Sequence, residues 1–275
     1  MTIAETARSG RDIAPGAGPL LREWRERRRL SQLELALRAD SSARHISFVE
    51  NGRSRPSETL ILRLADCLDV PVRERNALLL AAGYAPRYTE TPLDAPSMAV
   101  VRESLEQLLR GYEPYPALIV DGSYRVLAAN RGIGMLLAGL PEHLLAEPLN
   151  ALRVTLHPEG LAARIRNLRE WRGHLLARLE HQLTLVRSQA LRELYDEVAA
   201  YPLPELTDRT DGPCPPPHPA IALPLLIEHE GRLLSFVSSI STFNTPLDVT
   251  VAELAIETLL PADPATAEHL RTLSS

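Results

Sequence analysis

Along residues 20–82, leucine, isoleucine, valine and alanine recur at intervals of three and four between charged positions, the period of amphipathic helices. The pattern predicts five short helices there. Ser31 with Glu34 three residues later reads as a capping box, which opens a helix over 31–39. Leu35 and Ala36 face inward, and the small Ala36 lets another helix cross close by. Asp40-Ser41 makes a turn and Ser42 caps the next helix, ARHISFVEN. Ile46 and Val49 point inward on it; Ala43, Arg44, Ser47 and Phe48 point away. Asn51-Gly52 ends it through a left-handed cap. A further helix carries Leu60, Leu64, Ala65 and Leu68. Residues 1–19, rich in Ala, Gly, Ser and Pro, are expected to be disordered.

Beyond Gly83 the signals change. Pro86, Pro92 and Pro96 mark 84–97 as a linker, so that 20–83 and 98–275 are two domains. Val100, Val101, Leu105, Leu108 and Leu109 predict a helix over 98–111. Residues 116–130 are two strand-like runs around Asp121-Gly122, a hairpin signal, with a helix expected at 131–138. Residues 160–200 read as two helices breaking near Ser188. Seven prolines in 201–219 make that stretch a loop. Residues 220–242 predict a second hairpin turning at Glu230-Gly231, and 249–263 alternate as a strand does. The tail, 264–275, is a short helix or frayed. The expected fold is therefore α+β: an all-α five-helix N-terminal domain, then a domain of antiparallel sheet and helices.

Charge sharpens this division. The net charge is −5, yet 20–88 hold 13 Arg against 9 acids and 89–275 hold 15 Arg against 24. A basic part at +4 is joined to an acidic part at −9. A phosphate backbone attracts the first and repels the second. All thirty basic residues are arginine. Cys67 fits a helix core, Cys214 lies in the Pro-rich loop, and neither belongs to a metal or disulfide framework. The N-terminus has no apolar signal core and no run of about twenty apolar residues occurs. A soluble, cytoplasmic, bacterial protein without membrane contact is expected. No phosphate loop, nucleophile elbow or metal spacing is evident, so no enzyme activity is expected.

Two short helices at a sharp angle present the second one's first turn to a DNA major groove. On that face Ser42, Ala43, Arg44, Ser47 and Phe48 are candidate contacts. Arg44 is the main reader, its guanidinium matching guanine O6 and N7. Ala43 and Phe48 offer apolar contact to thymine methyls, with a packing role also open for Phe48. Gln32 is placed to hold a phosphate, and Asn51, Arg53 and Arg55 to clamp the backbone. The segment from Ser31 to Leu68 resembles the helix-turn-helix of the Xre family and lambdoid phage repressors. Its marks are Ser31-Gln32, Ala36, Ile46-Ser47, Glu50-Asn51-Gly52, Pro56 and Leu60; Asp40 stands where the family usually has glycine. The resemblance implies binding to a double-stranded operator, with a homodimer on two half-sites.

Residues 116–137 resemble the opening of a PAS domain. Longer stretches, such as 150–179 and 241–270, resemble the MmyB-type ligand-binding regulators, which pair an Xre-type helix-turn-helix with a PAS-like domain. That resemblance implies a small-molecule effector, a fatty acid being one candidate, and no required cofactor. Independently, a helix drawn over 161–182 puts Leu161, Ile165, Leu168, Leu175, Leu176 and Leu179 on one arc. Asn167, Trp171, His174 and Arg178 form an adjacent polar stripe. Apolar walls with cations at one rim suit an amphiphile; Arg178 or Arg164 would pair with its carboxylate. Asn130 is either a ligand contact or the cap of the next helix. The alternative is that the stripe is solvated and the acidic domain is a protein-interaction module without a ligand.

Overall fold

The computed structural model describes residues 16–186, 188–203, 222–244 and 246–273. The chain divides into two compact units, Met1–Thr89 and Glu90–Ser275.

The first unit is five helices: α1 (Ala17–Arg27), α2 (Gln32–Arg38), α3 (Ala43–Glu50), α4 (Glu58–Cys67) and α5 (Val72–Ala81). Their boundaries follow local chemistry. Ser31 accepts from the Glu34 N–H while Glu34 accepts from the Ser31 N–H, the full capping box. The Ser42 and Ser57 hydroxyls accept from the His45 and Leu60 N–H groups and so cap α3 and α4. Asp40 takes φ of 47° in the α2–α3 turn and Gly52 takes 69° after α3. Asp supports the left-handed region better than most residues, which is how it replaces glycine there. Leu21, Trp24, Leu35, Ile46, Ile61, Leu64, Leu68 and Leu78 build the core.

The expected disordered tail ends earlier than 19. Ala17 and Gly18 are buried in α1, and a Cβ at Gly18 would stand 2.3 Å from the Val49 carbonyl oxygen. Glycine is what lets α1 lie against α3. Residues 1–15 of that expected tail lie outside the described residues. The expected linker is also divided. Asn76 holds Arg87 and Tyr88 by their main chain, and Tyr84 donates to the Pro56 carbonyl. Thr91, by contrast, donates to Asp248 of the second unit.

The second unit runs α6 (Ala99–Tyr112), β1 (Ala117–Val120), β2 (Val126–Ala129), α7 (Arg131–Leu137), α8 (Glu142–Leu145), α9 (Ala151–Leu156), α10 (Leu168–Leu185), α11 (Gln189–Ala200), β3 (Leu225–His229), β4 (Arg232–Thr242), α12 (Val249–Glu253), β5 (Ala255–Pro261) and α13 (Pro264–Leu273). The five strands form one antiparallel sheet in the order β2-β1-β5-β4-β3, a PAS-like arrangement with helices inserted between β2 and β3. Both expected hairpins form. Asp121 accepts from the Ser123 and Arg125 N–H groups in the first turn. Glu230 and Gly231 both take positive φ in the second, as a two-residue hairpin turn requires.

The sheet is covered on two faces. Leu225, Ile227, Leu234, Phe236 and Leu259 pack with Trp171, Leu175 and Leu179 of α10 and with Leu191, Leu194 and Val198 of α11. On the other face Leu105 and Leu109 of α6 pack with Ala117, Ile119, Leu254 and Ile256. Strand β1 is therefore buried throughout, and its sequence is a continuous apolar run instead of an alternating one.

Three departures from the expected elements have physical causes. Residues 249–253 are helical, because the Asp248 side chain accepts from the Thr250 N–H and caps a turn before the strand begins. The helix drawn over 161–182 breaks: a 3-10 turn covers Leu161–Arg164, and Ile165 pairs with Ile227 before α10 starts. The short helices α8 and α9 lie where no helix is expected, being shorter than the periods that reveal one. Ser188 does cap α11, accepting from the Leu191 N–H. Of the expected Pro-rich loop, residues 204–219 lie outside the described residues, Cys214 among them.

Candidate DNA-binding and ligand-binding sites

The first-unit site is organised by a carboxylate the sequence reading left without a role. Glu50, at the end of α3, is 3% exposed. Arg25 Nε donates to its Oε1 at 2.6 Å and Arg25 Nη2 to its Oε2 at 2.9 Å. Gln32 Nε2 donates to Oε2 at 2.8 Å. Arg22 adds a contact at 3.4 Å and donates to Asn51 Oδ1 at 2.6 Å. Burial pushes the Glu50 carboxyl up, but the hydrogen bonds from Arg25 and Gln32 outweigh it and hold the group below the usual carboxylate range. One buried anion thus pins α1, the start of α2 and the end of α3 together.

This network alters the reading of several candidates. Gln32, expected at a phosphate, has its amide committed to Glu50. Asn51 donates back to the Ser47 carbonyl and contacts the Ser47 hydroxyl while accepting from Arg22. Arg55, expected on the DNA backbone, donates to the Ala82 and Gly83 carbonyls and lies over the Tyr84 ring. Its guanidinium is closing the end of α5. Ser42 is exposed and its hydroxyl caps α3. Arg44 is exposed, with its guanidinium 5.3 Å from the centre of the Phe48 ring. Phe48 is half-buried, so it serves as a platform beneath Arg44. Ala43 is half-buried against the core. Arg53 is exposed just beyond α3; its main-chain N–H donates to the Phe48 carbonyl, and no hydrogen bond or ion pair engages its guanidinium among the described residues.

In the second unit the core encloses an apolar cavity of about 80 Å³. Val126 and Leu118 from the sheet, Ile133 and Leu136 from α7, Leu152 and Val154 from α9, and Trp171 and Leu175 from α10 line it. Glu257 is the charged residue of the lining. Ser238 donates to its Oε1 at 3.0 Å, and Arg178 Nη1 lies 3.6 Å away. Arg178 also lies over the Tyr124 ring, whose phenol is pushed up by burial and donates to Gln182.

The expected polar stripe does not form as drawn. Trp171 is 3% exposed and belongs to the apolar wall, because the helix begins at Leu168 and its inward positions are 168, 171, 175 and 179. His174 is exposed, one position off that face, with its ring 5.7 Å from that of Trp171. Asn167 spends its amide on β3, donating to the Pro224 carbonyl and accepting from the Leu226 N–H. Asn130 is buried and caps α7. Its oxygen accepts from the Ile133 and Ala117 N–H groups and its nitrogen donates to the Leu109 and Tyr115 carbonyls. All its hydrogen-bonding capacity is spent on backbone, which leaves none for a ligand. Arg178 has a carboxylate already. Arg164 donates to the Leu136 carbonyl, its Nε is buried with no hydrogen-bond partner among the described residues, and burial draws its guanidinium below the ordinary arginine value.

A surface cluster of His143, His157 and Glu159 brings three ligand-type atoms within 4.8 Å. Within it His143 pairs with Glu159 at 3.3 Å, and His157 Nδ1 accepts from the Glu159 N–H. Among the described residues no helix is long and apolar enough to cross a membrane.

Residues 101–273 match the family described as MmyB-like transcription regulator ligand binding domain, and residues 21–75 match the family described as Helix-turn-helix. No curated protein matches the chain. A solved structure of an RNA-binding Light-Oxygen-Voltage receptor aligns with 12% identity over 95% of this chain and 63% of that one, at a TM-score of 0.26, too low to set the folds in correspondence. The chain spans less than two thirds of that receptor's length.

Proposed function

The chain belongs to the family of the MmyB-like ligand-binding domain, carries it behind a helix-turn-helix and is a DNA-binding transcription regulator; on that premise we propose that a fatty-acid-like or other apolar small molecule in the second unit controls operator binding. The apolar cavity beside Trp171 carries this reading. Its walls suit hydrocarbon, and its charged lining residue is already paired. Ligand pockets usually measure about 300–1,000 Å³, so this reading requires the cavity to widen around its ligand. A ligand would enter by parting side chains of α7, α9 and α10. Control follows only if the ligand binds one of two states of the chain more tightly.

The operator side is proposed as a homodimer on a palindrome, with half-site centres about 34–36 Å apart. Arg44 reads a guanine from its Phe48 platform, Ala43, Ser42 and Ser47 flank it, and Arg53 binds phosphate. Gln32 and Asn51 contribute through the Glu50 network that orients them. The test uses a duplex selected from a random pool, with operator affinity measured with and without octanoate. Ala151→Leu, which fills the cavity, is expected to abolish the ligand effect and preserve ligand-free operator binding. An effect that survives the filled cavity defeats the proposal.

The small cavity volume also favours a second reading, an acidic protein-interaction module that takes no small molecule. A domain that binds no apolar ligand in calorimetry while retaining a protein partner in pull-down supports it.

A further inference from the structure

We propose that His143, His157 and Glu159 bind one first-row divalent metal ion, zinc or a close neighbour, which staples α8 to the turn leading out of α9. The inference is independent of the small-molecule reading above.

The three residues come from two places in the chain and meet only in the fold. His143 lies in α8, while His157 and Glu159 lie in the turn after α9. One ligand-type atom of each lies within 4.8 Å of the other two. His143 Nε2 and Glu159 Oε2 are 3.3 Å apart. Zinc bonds of about 2.1 Å set neighbouring ligands about 3.4 Å apart on a tetrahedron, so this pair already has the spacing. The His157 ring stands edge-on to that of His143, with 6.0 Å between centres.

The turn is firmly held. The Gly160 N–H donates to the His157 carbonyl, and the His157 N–H donates to the Arg153 carbonyl, each at 2.8 Å. A Cβ at Gly160 would stand 2.2 Å from the Val154 carbonyl oxygen, so the turn lies close on α9. The His157 ring packs edge-on against Tyr201 at 5.1 Å. Tyr201 in turn donates to Glu197, which Arg153 grips with two nitrogens. A ligand ring braced by its surroundings loses less freedom on binding. Glu159 has no arginine partner among the described residues; its ionic partner is His143. His143 and Glu159 are both exposed, so an ion can reach them and both can turn to close around it. His157 Nδ1 accepts from the Glu159 N–H, a bond given up whichever ring nitrogen takes the ion, and at this exposed turn water replaces it for the N–H. Two imidazoles and a carboxylate suit zinc, with water in the fourth position, whereas magnesium and calcium favour oxygen ligands alone. Val154 and Leu161, on either side of the turn, both line the apolar cavity, so the staple would fix part of its wall.

Calorimetric titration of the full chain, stripped with a chelator and free of any histidine tag, with zinc chloride tests this. One ion per chain is expected. Loss of an outer-shell partner alone costs about 10–100-fold in metal affinity, so His143→Ala, which removes a ligand, is expected to weaken binding about a hundredfold. Glu159→Gln, which keeps the turn and removes the charge, is expected to weaken it in the same direction. His181→Ala, at an exposed histidine of α10, is expected to bind as the wild type does. An ion that binds only the folded chain stabilises it. Zinc is therefore expected to raise the melting transition of the wild type and to leave that of His143→Ala where it is. No zinc binding, a loss under about tenfold in His143→Ala, an equal loss in His181→Ala, or magnesium chloride bound as tightly as zinc each overturns the proposal.

Discussion

Replacing Glu50 by alanine removes the group on which the DNA-binding unit converges. The side chain is 1% exposed and that of Arg25 is 11% exposed, so the variant leaves a guanidinium out of water without its counter-ion. Breaking a buried pair by removing one member costs about 3–5 kcal/mol. Arg25 keeps the Leu30 carbonyl at 2.9 Å and a contact with the exposed Glu26, which places the loss near the lower end, at about 3 kcal/mol. Native-state hydrogen exchange of the full chain reads this locally. Amides of α1 and α3 are expected to exchange about a hundredfold faster, since 1.4 kcal/mol is about tenfold. The second unit's amides are expected to be unchanged. The double variant Arg25→Met with Glu50→Leu removes both charges and is expected to recover most of the loss. Acceleration under about fivefold in the single variant, or no recovery in the double, refutes the reasoning. The same carboxyl also makes a pH statement. Its folded value lies below its unfolded one, so its contribution is complete above the ordinary carboxylate range and is lost as pH falls below about 4.

Other outcomes follow from single contacts. Arg44→Ala is expected to weaken operator binding and relax preference at one base pair by about 1–3 kcal/mol, read by fluorescence anisotropy on operators varied at that position. Gly18→Ala puts a methyl 2.3 Å from the Val49 carbonyl oxygen, so α1 must move; a loss of about 1–3 kcal/mol in urea unfolding is expected, and no loss would deny the close approach. Burial and the Glu197 carboxylate push the Tyr201 phenol up to about 12. Ultraviolet titration should find one tyrosine ionising there, and Glu197→Gln should lower it. The neutral phenol is favoured in the folded state, so this contribution to stability fades as pH rises from about 10 to about 12.

How much of this was legible depends on how far apart the interacting residues lie. The capping serines at 31, 42 and 188 act on N–H groups three residues away, and the two hairpin turns close over a few residues. Such signals survive in a linear reading, as does the Leu35–Ala36 and Ile46–Val49 face. Val249–Glu253 shows the limit of periodicity: alternation suggested a strand, and a single cap at Asp248 won the first turn for helix. Trp171 shows another. Its place on the wall depends on where α10 starts, and that start is set by the Ile165 pairing with Ile227.

The sequence by itself determined the two-part organisation, the five N-terminal helices, their order and the outward side of α3, because helix caps, turn residues and hydrophobic period are local and additive. Only the tertiary structure decided which charges are free. Of the arginines in 20–88, Arg44, Arg53 and Arg55 read as DNA contacts; folding commits Arg25 to Glu50 and Arg55 to the end of α5, and leaves Arg44 and Arg53 facing out. In the second unit it commits Arg178 to Glu257 and leaves Arg164 on a main-chain carbonyl, with no carboxylate among the described residues. The physical reason is that a charge is satisfied by whatever the fold brings within about 3 Å. For these residues the partner is set by how helices and strands pack, which no short stretch of the chain encodes.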